Sequence, residues 1–136
     1  MPCLFCKIAN EKSENVICQN KSAVSVLDIF PRAPGHSMVI PKIHAENILE
    51  LPDSEIEFVF KAVKETTLKI KKALKPDGFT IGINHGKNAG QAIDHLHIHI
   101  IPRFKSDGGG SIHGVVNNPP KETVGEIRKK ILNSQS

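Results

Sequence analysis

The stretch Asp94-His95-Leu96-His97-Ile98-His99-Ile100-Ile101-Pro102-Arg103 decides how this chain is read. Successive side chains on a β-strand point to opposite faces. Leu96, Ile98 and Ile100 then share one face, and His95, His97 and His99 share the other. The aliphatic face has a structural task, which is to pack beneath a helix. Three imidazoles in line, each about 7 Å from the next, are a poor way to build a core. A single histidine in a strand is usually a surface or satisfied interior residue. Three in strict alternation opposite a clean aliphatic face point to chemistry, since histidine serves most often as general acid/base and metal ligand. Two chemistries stay open on these residues alone. Histidines at i and i+2 with a third ligand can hold an open zinc site. Alternatively, one imidazole acts as nucleophile while its neighbours donate hydrogen bonds.

Working outward, residues 16–19 and 23–30 read as two strands joined by a tight Asn20-Lys21-Ser22 turn. Pro31-Arg32-Ala33-Pro34-Gly35 is a loop, because two prolines and a glycine block both helix and ladder. Residues 36–41 form a third strand. A long helix is expected from Asp53 or Ser54, with Ser54 and Glu57 as a capping box. Ile56, Val59, Phe60, Val63, Ile70 and Leu74 recur at helical spacing and define its apolar face. Lys69, Lys71, Lys72 and Lys75 suit its C-terminal end, and Pro76-Asp77-Gly78 stops it. Residues 79–84 and 95–103 are the fourth and fifth strands, and residues 121–132 a second, shorter helix. Five strands with short connections favour an antiparallel sheet, so the fold class is α+β with one long inserted helix and a C-terminal helix.

A chain of 136 residues suits one domain with a single modest core. Its hydrophobic content of 39% and charged content of 24% are those of an ordinary globular protein. No apolar run approaches membrane-spanning length, and Met1-Pro2-Cys3-Leu4-Phe5 lacks the order of a signal peptide. A cytoplasmic location and no membrane partner are expected. Lysine and arginine outnumber acidic residues 18 to 14, giving a net charge of +4. That excess is nearly all lysine, and with no Trp or Tyr there is little to stack on bases, so a nucleic-acid groove is not expected. Mild attraction for small anionic ligands is. Cys3 and Cys6 have the C-x-x-C spacing of a metal or redox site, while Cys18 reads as an inert buried thiol. Backbone N–H groups of Lys87-Asn88-Ala89-Gly90-Gln91 could donate to phosphate oxygens, with glycine permitting close approach.

His95-Leu96-His97-Ile98-His99-Ile100-Ile101-Pro102-Arg103 resembles the signature of the histidine-triad family. The resemblance covers nearly the whole chain. Leu4-Phe5-Cys6-Lys7-Ile8 is similar to the family's N-terminal segment. Leu27-Asp28-Ile29, Ala33-Pro34-Gly35-His36 and Val39-Ile40-Pro41-Lys42 are similar to its central strands, and Asn84 with Gly90-Gln91 to its phosphate loop. The cysteine pair and Pro102-Arg103 resemble bacterial and archaeal-type members. Ala92 departs from the pattern, since many members carry Ser or Thr there.

The resemblance implies a nucleotide hydrolase or transferase that cleaves at a nucleoside α-phosphate. It implies His97 as a nucleophile forming a nucleotidyl-histidine, His99 and His36 as contacts to the α-phosphate, and Gln91 near the leaving group. Asn84 and Gly90 would contact phosphate, and Asp28 the ribose hydroxyls. Phe5, Ile8, Leu27 and Ile29 would line the base pocket, for which a purine nucleotide, AMP-containing by preference, is expected. Cys3, Cys6, His44 and His95 would hold a structural zinc, which makes His95 structural, and no catalytic metal is expected. A homodimer with the long helix and one strand edge at its interface is also implied. A zinc-dependent metallohydrolase on the triad and a nucleotide-binding regulatory module are the alternatives.

Overall fold

Asn20 sets the first hairpin. Its Oδ1 accepts from the Ser22 and Ala23 amides at 2.9 and 3.0 Å, an Asx turn that joins β1 (Val16–Gln19) to β2 (Ala23–Leu27). Its Nδ2 donates to the Phe58 carbonyl at 2.7 Å and pins the hairpin to the long helix. This computed structural model describes residues 3–11 and 13–134. The remaining elements are α1 (Leu4–Asn10), β3 (Ser37–Pro41), α2 (Asp53–Leu74), β4 (Gly78–Gly82), β5 (Ile98–Arg103) and α3 (Val124–Leu132). The strands form one antiparallel sheet in the order β1-β2-β3-β5-β4. The expected α+β architecture is therefore present: five antiparallel strands, a long inserted helix and a C-terminal helix.

Register divides the sheet into two faces. Val39 pairs with Ile98 and Ser37 with Ile100, while Met38 pairs with His99. Ile98 and Ile100 join Val39, Ala23 and the buried stripe of α2, namely Val59, Ala62, Val63 and Ile70. On the opposite face, Val24, Val26, Met38 and Ile40 pack with Phe5 and Ala9 of α1. Each large aliphatic side chain so buried contributes about 1.5–3 kcal/mol.

Several boundaries differ from expectation. Strand β2 stops at Leu27, short of Phe30, because Asp28 Oδ1 takes the Phe30 amide at 2.8 Å and bends the chain. Helix α2 begins at Asp53 with Pro52 in the cap position, and the Ser54–Glu57 capping box does not form. Asp53 and Glu55 complement the helix dipole there, and Glu57 pairs with Lys61 at 2.9 Å. Phe60 and Leu74 are 41% and 45% exposed, so they lie off the buried stripe; Ala62 and Thr66 hold it instead. Helix α1 was not foreseen from the sequence, being only seven residues long. Helix α3 starts at Val124, behind a capping box of Thr123 and Glu126.

Past β5, Arg103 closes the sheet. Its guanidinium grips Asp107 through Nε at 2.7 Å and a second nitrogen at 3.1 Å, and reaches Thr80 Oγ1 of β4 at 3.0 Å. Among the described residues, no helix is long and apolar enough to cross a membrane.

Candidate active site

The histidine segment does not form one straight row. The β5 ladder begins only at Ile98, because the Leu96 amide donates to the Ala45 carbonyl at 2.7 Å rather than to a strand partner. His95 is fully buried and aimed at the N-terminal helix, while His97 and His99 face each other with ring centroids 5.0 Å apart.

His97 is buried, and its Nδ1 lies 2.8 Å from the His95 carbonyl. A carbonyl only accepts, so Nδ1 carries the proton and Nε2 keeps the lone pair. That tautomer is the nucleophilic one at Nε2. The Phe5 and His97 rings stand nearly perpendicular, with centroids 4.9 Å apart and planes at 85°.

His36 and His99 form a relay. The Arg32 amide donates to His36 Nδ1 at 3.1 Å, so the neutral ring carries its proton on Nε2. That proton points at His99 Nδ1, 3.0 Å away, and leaves His99 with its own proton on Nε2 as an outward donor. Burial pushes both imidazoles below the usual histidine range, helped for His99 by the neighbouring His97 and His36, and His99 falls to about 4. Both are neutral donors at pH 7. Asp28 lies beneath them, with Oδ2 3.5 Å from His36 Nε2 and 4.0 Å from His99 Nδ1. A cleft of about 500 Å³ opens beside this group, bounded by Leu27, Asp28, Pro31, Arg32 and His36.

The loop from Gly86 to Gln91 is shaped by glycines at φ +87° and +100° (Gly86 and Gly90) around a 3-10 turn at Lys87–Ala89. Gly90 backs onto the Asn84 amide, 3.6 Å from where a Cβ would sit. Gln91 closes this loop. Its Oε1 takes the Gly86 amide at 2.8 Å, and its Nε2 donates to the Glu46 and Ile93 carbonyls at 2.7 and 3.0 Å. Both ends of the amide are bonded to backbone, so Gln91 clamps the loop.

Of the expected base-pocket residues, Phe5 and Ile8 lie in the core cluster on the His99 face. Leu27 pairs with Ser37, itself paired with Ile100, so the ladder turns it off the Phe5 face, and it borders the cleft beside Asp28 and His36 instead. The place beside Phe5 falls to Val26, which pairs with Met38 and lies in the same cluster. Counting alternation outward from Val24 would have found Val26. Ile29 sits on the loop after β2 and is 70% exposed, outside both clusters.

Cys3, Cys6, His44 and His95 converge, their ligand atoms all within 4.8 Å of one another. Cys6 Sγ is 3.2 Å from His44 Nδ1 and 3.4 Å from His95 Nδ1, and Cys3 Sγ is 3.5 Å from the latter. Bonds of about 2.0–2.3 Å at tetrahedral angles place donors at such separations. His95 Nε2 lies 2.9 Å from the Pro41 carbonyl and so carries the proton, leaving Nδ1 free to ligate. These residues fit a zinc-type cation. A second group, Asp28, His36 and His99, also has ligand atoms within 4.8 Å of one another. There the tautomer opposes ligation, because the Arg32 amide occupies His36 Nδ1 and forces the proton onto the nitrogen that would bind.

The sequence matches the model of the family described as HIT domain over residues 9–106. An uncharacterised HIT-like protein of Methanocaldococcus jannaschii is 44% identical over 123 residues, covering 90% of this chain and 95% of that one. The chain belongs to the HIT domain family. Within that family, an adenosine 5'-monophosphoramidase of Saccharomyces cerevisiae is 31% identical over 96% of this chain and 80% of its own length. A HIT family structure from Bacillus subtilis superposes with a TM-score of 0.85 at 31% identity, covering 100% of this chain and 99% of that one. A zinc-bound histidine triad protein from Mycobacterium smegmatis gives a TM-score of 0.70 at 27% identity, covering 88% and 84%. The bacterial and archaeal relatives agree with the histidine signature, and the cysteine pair of this HIT chain is placed to ligate.

Proposed function

We propose that this HIT protein is a cytoplasmic nucleotide hydrolase or transferase acting at the α-phosphate of an AMP-containing purine nucleotide. The observation that carries the reading is the His97 Nδ1 to His95 carbonyl hydrogen bond at 2.8 Å, which presents Nε2 as an unprotonated nucleophile. Nε2 attacks the α-phosphorus, a P–N bond forms, and the bond to the leaving group breaks with its electron pair. The leaving group departs with a proton from solvent. The imidazolium so made keeps its Nδ1–H on the His95 carbonyl, which offsets its charge. Water or another acceptor then attacks phosphorus, the P–N bond returns its electrons to Nε2, and nucleoside monophosphate or its ester leaves.

The other residues work by placement. The outward Nε2–H of His99, held by His36, donates to a non-bridging oxygen, and the amides of Lys87 to Gly90 donate from the loop that Gln91 clamps. Asn84 buttresses that loop at Gly90. Asp28 retains acceptor capacity on Oδ2 for ribose hydroxyls, and Phe5, Ile8 and Val26 form the apolar side of the base pocket. Cys3, Cys6, His44 and His95 would hold a zinc ion, which would cross-link α1 to the segments before β5 and after β3. Two chains pair through the α2 face and the open edge of β4. The yeast relative's activity supports a phosphoramidate as the first substrate to try.

The test is to trap the adduct. Protein incubated with radiolabelled adenosine 5'-monophosphoramidate is expected to carry acid-labile, base-stable label, and His97→Ala none. Equal labelling of the variant would refute the nucleophile.

A further inference from the structure

Helix α1 carries side chains that serve two sites at once. Cys3 and Cys6 reach the His44 and His95 nitrogens, while Phe5, between them, is buried against His97. The Phe5 ring is 4.9 Å from His97 and 6.2 Å from His95, nearly perpendicular to both. His95 also belongs to both sites, since its Nδ1 faces the sulfurs and its carbonyl takes the His97 proton. Two short paths thus join the cysteine cluster to the nucleophile, one through the Phe5 ring and one through the His95 main chain.

The helix has little else to hold it. It has seven residues and no side-chain cap, far below the length at which a helix is stable alone. Among the described residues, besides the packing of Phe5, Ile8 and Ala9 and the cysteine–histidine contacts, its tie to the rest of the chain is Asn10 Nδ2 donating to the Lys42 carbonyl at 3.1 Å. A cation bridging Cys3 and Cys6 to His44 and His95 would be the strongest link between α1 and the strands.

We propose that Phe5 is a positioning residue for His97, and that zinc at the cysteine–histidine cluster sets the nucleophile's ring by holding α1 in place. This rests on the reading of His97 as nucleophile. With α1 docked, the Phe5 ring blocks the imidazole from swinging off the His95 carbonyl. With α1 released, the ring wags and both tautomers are sampled. A displacement near 1 Å at a reacting atom costs roughly 100-fold in rate.

The experiment uses the full chain in zinc-loaded and chelator-stripped forms, with Cys3→Ser/Cys6→Ser and Phe5→Leu. Two-bond proton–nitrogen NMR reads the His97 tautomer without substrate, and dye-coupled metal release counts zinc. The loaded protein is expected to show one Nδ1–H tautomer, and the stripped protein and double variant averaged or doubled ring signals. Adding zinc back should restore the single tautomer, complete at one equivalent. Phe5→Leu should keep its zinc, lose the single tautomer and drop kcat about tenfold or more. A stripped wild-type chain that keeps one unchanged tautomer overturns the coupling, and needs no variant to fold. A zinc-bound Phe5→Leu with wild-type ring signals overturns the part given to Phe5. Zinc-dependent ring ordering in a chain that forms no adduct would overturn the catalytic role of His97 while supporting the coupling.

Discussion

His36 Nε2 stands 3.0 Å from His99 Nδ1, and the Arg32 amide decides which ring donates. This pair predicts a pH response. An unfolded histidine titrates near 6.5, whereas folded His99 titrates near 4, and His36 is lowered as well. Between those values the unfolded chain binds more protons, so stability is complete above about pH 6.5 and is lost as pH falls toward 4. His99 alone accounts for at most about 3 kcal/mol. Urea unfolding from pH 7 to pH 4 should show that decline, and His99→Asn should flatten it. An equal slope in the variant would contradict the relay.

Asp28→Asn tests the carboxylate under the pair. The Asn side-chain oxygen can still accept the Phe30 amide, so the turn survives, but the charge that holds the two imidazoles up is gone. Both should titrate lower still, read by NMR. A rise in either would mean that the carboxylate does not face them.

Gln91→Ala removes three hydrogen bonds that tie Gly86, Glu46 and Ile93 together. Each is worth about 1 kcal/mol. Hydrogen exchange at the Gly86 amide should speed up by about tenfold or more, and substrate KM should rise. Unchanged exchange would show that the loop holds itself.

Gly35 sits at φ +87°, and a Cβ there would lie 2.6 Å from Leu74 Cδ1 and 3.3 Å from Pro102 Cγ. Gly35→Ala should lose about 2 kcal/mol, from backbone strain and the clash together. The Gly35→Ala/Leu74→Ala double variant should lose less than the sum of the single changes, since Leu74 is the flexible half of the contact. Strict additivity in thermal melts would place the cost in the backbone alone.

The parts of this fold that follow local rules were legible in the sequence. Alternation in 96–100 put Ile98 and Ile100 under α2, and the Asn20 turn fixed the first hairpin. Convergence of Cys3, Cys6, His44 and His95 came through family likeness rather than spacing, since the sheet brings together residues 92 positions apart. The partners of Gln91 and the face of Leu27 are not legible for a different reason. An amide's partners are tertiary facts that the Gly90-Gln91 pair does not encode, and the Leu27-Asp28-Ile29 run shows its faces only when alternation is counted from Val24. Helix α1 escaped notice because its seven residues earn their conformation from Phe5 and Ala9 packing, not from propensity.

The joint at Arg103 and Asp107 has a consequence for descent and for engineering. Because the guanidinium knots the end of β5 to its own next turn, to Thr80 and to the Gly110 carbonyl, the sheet is sealed by residue 110. Everything past Gly110 hangs from a finished edge, so that appendage can be lengthened, swapped or removed without reworking the chemistry upstream. A designer who wants to graft a reporter or a second module should cut there.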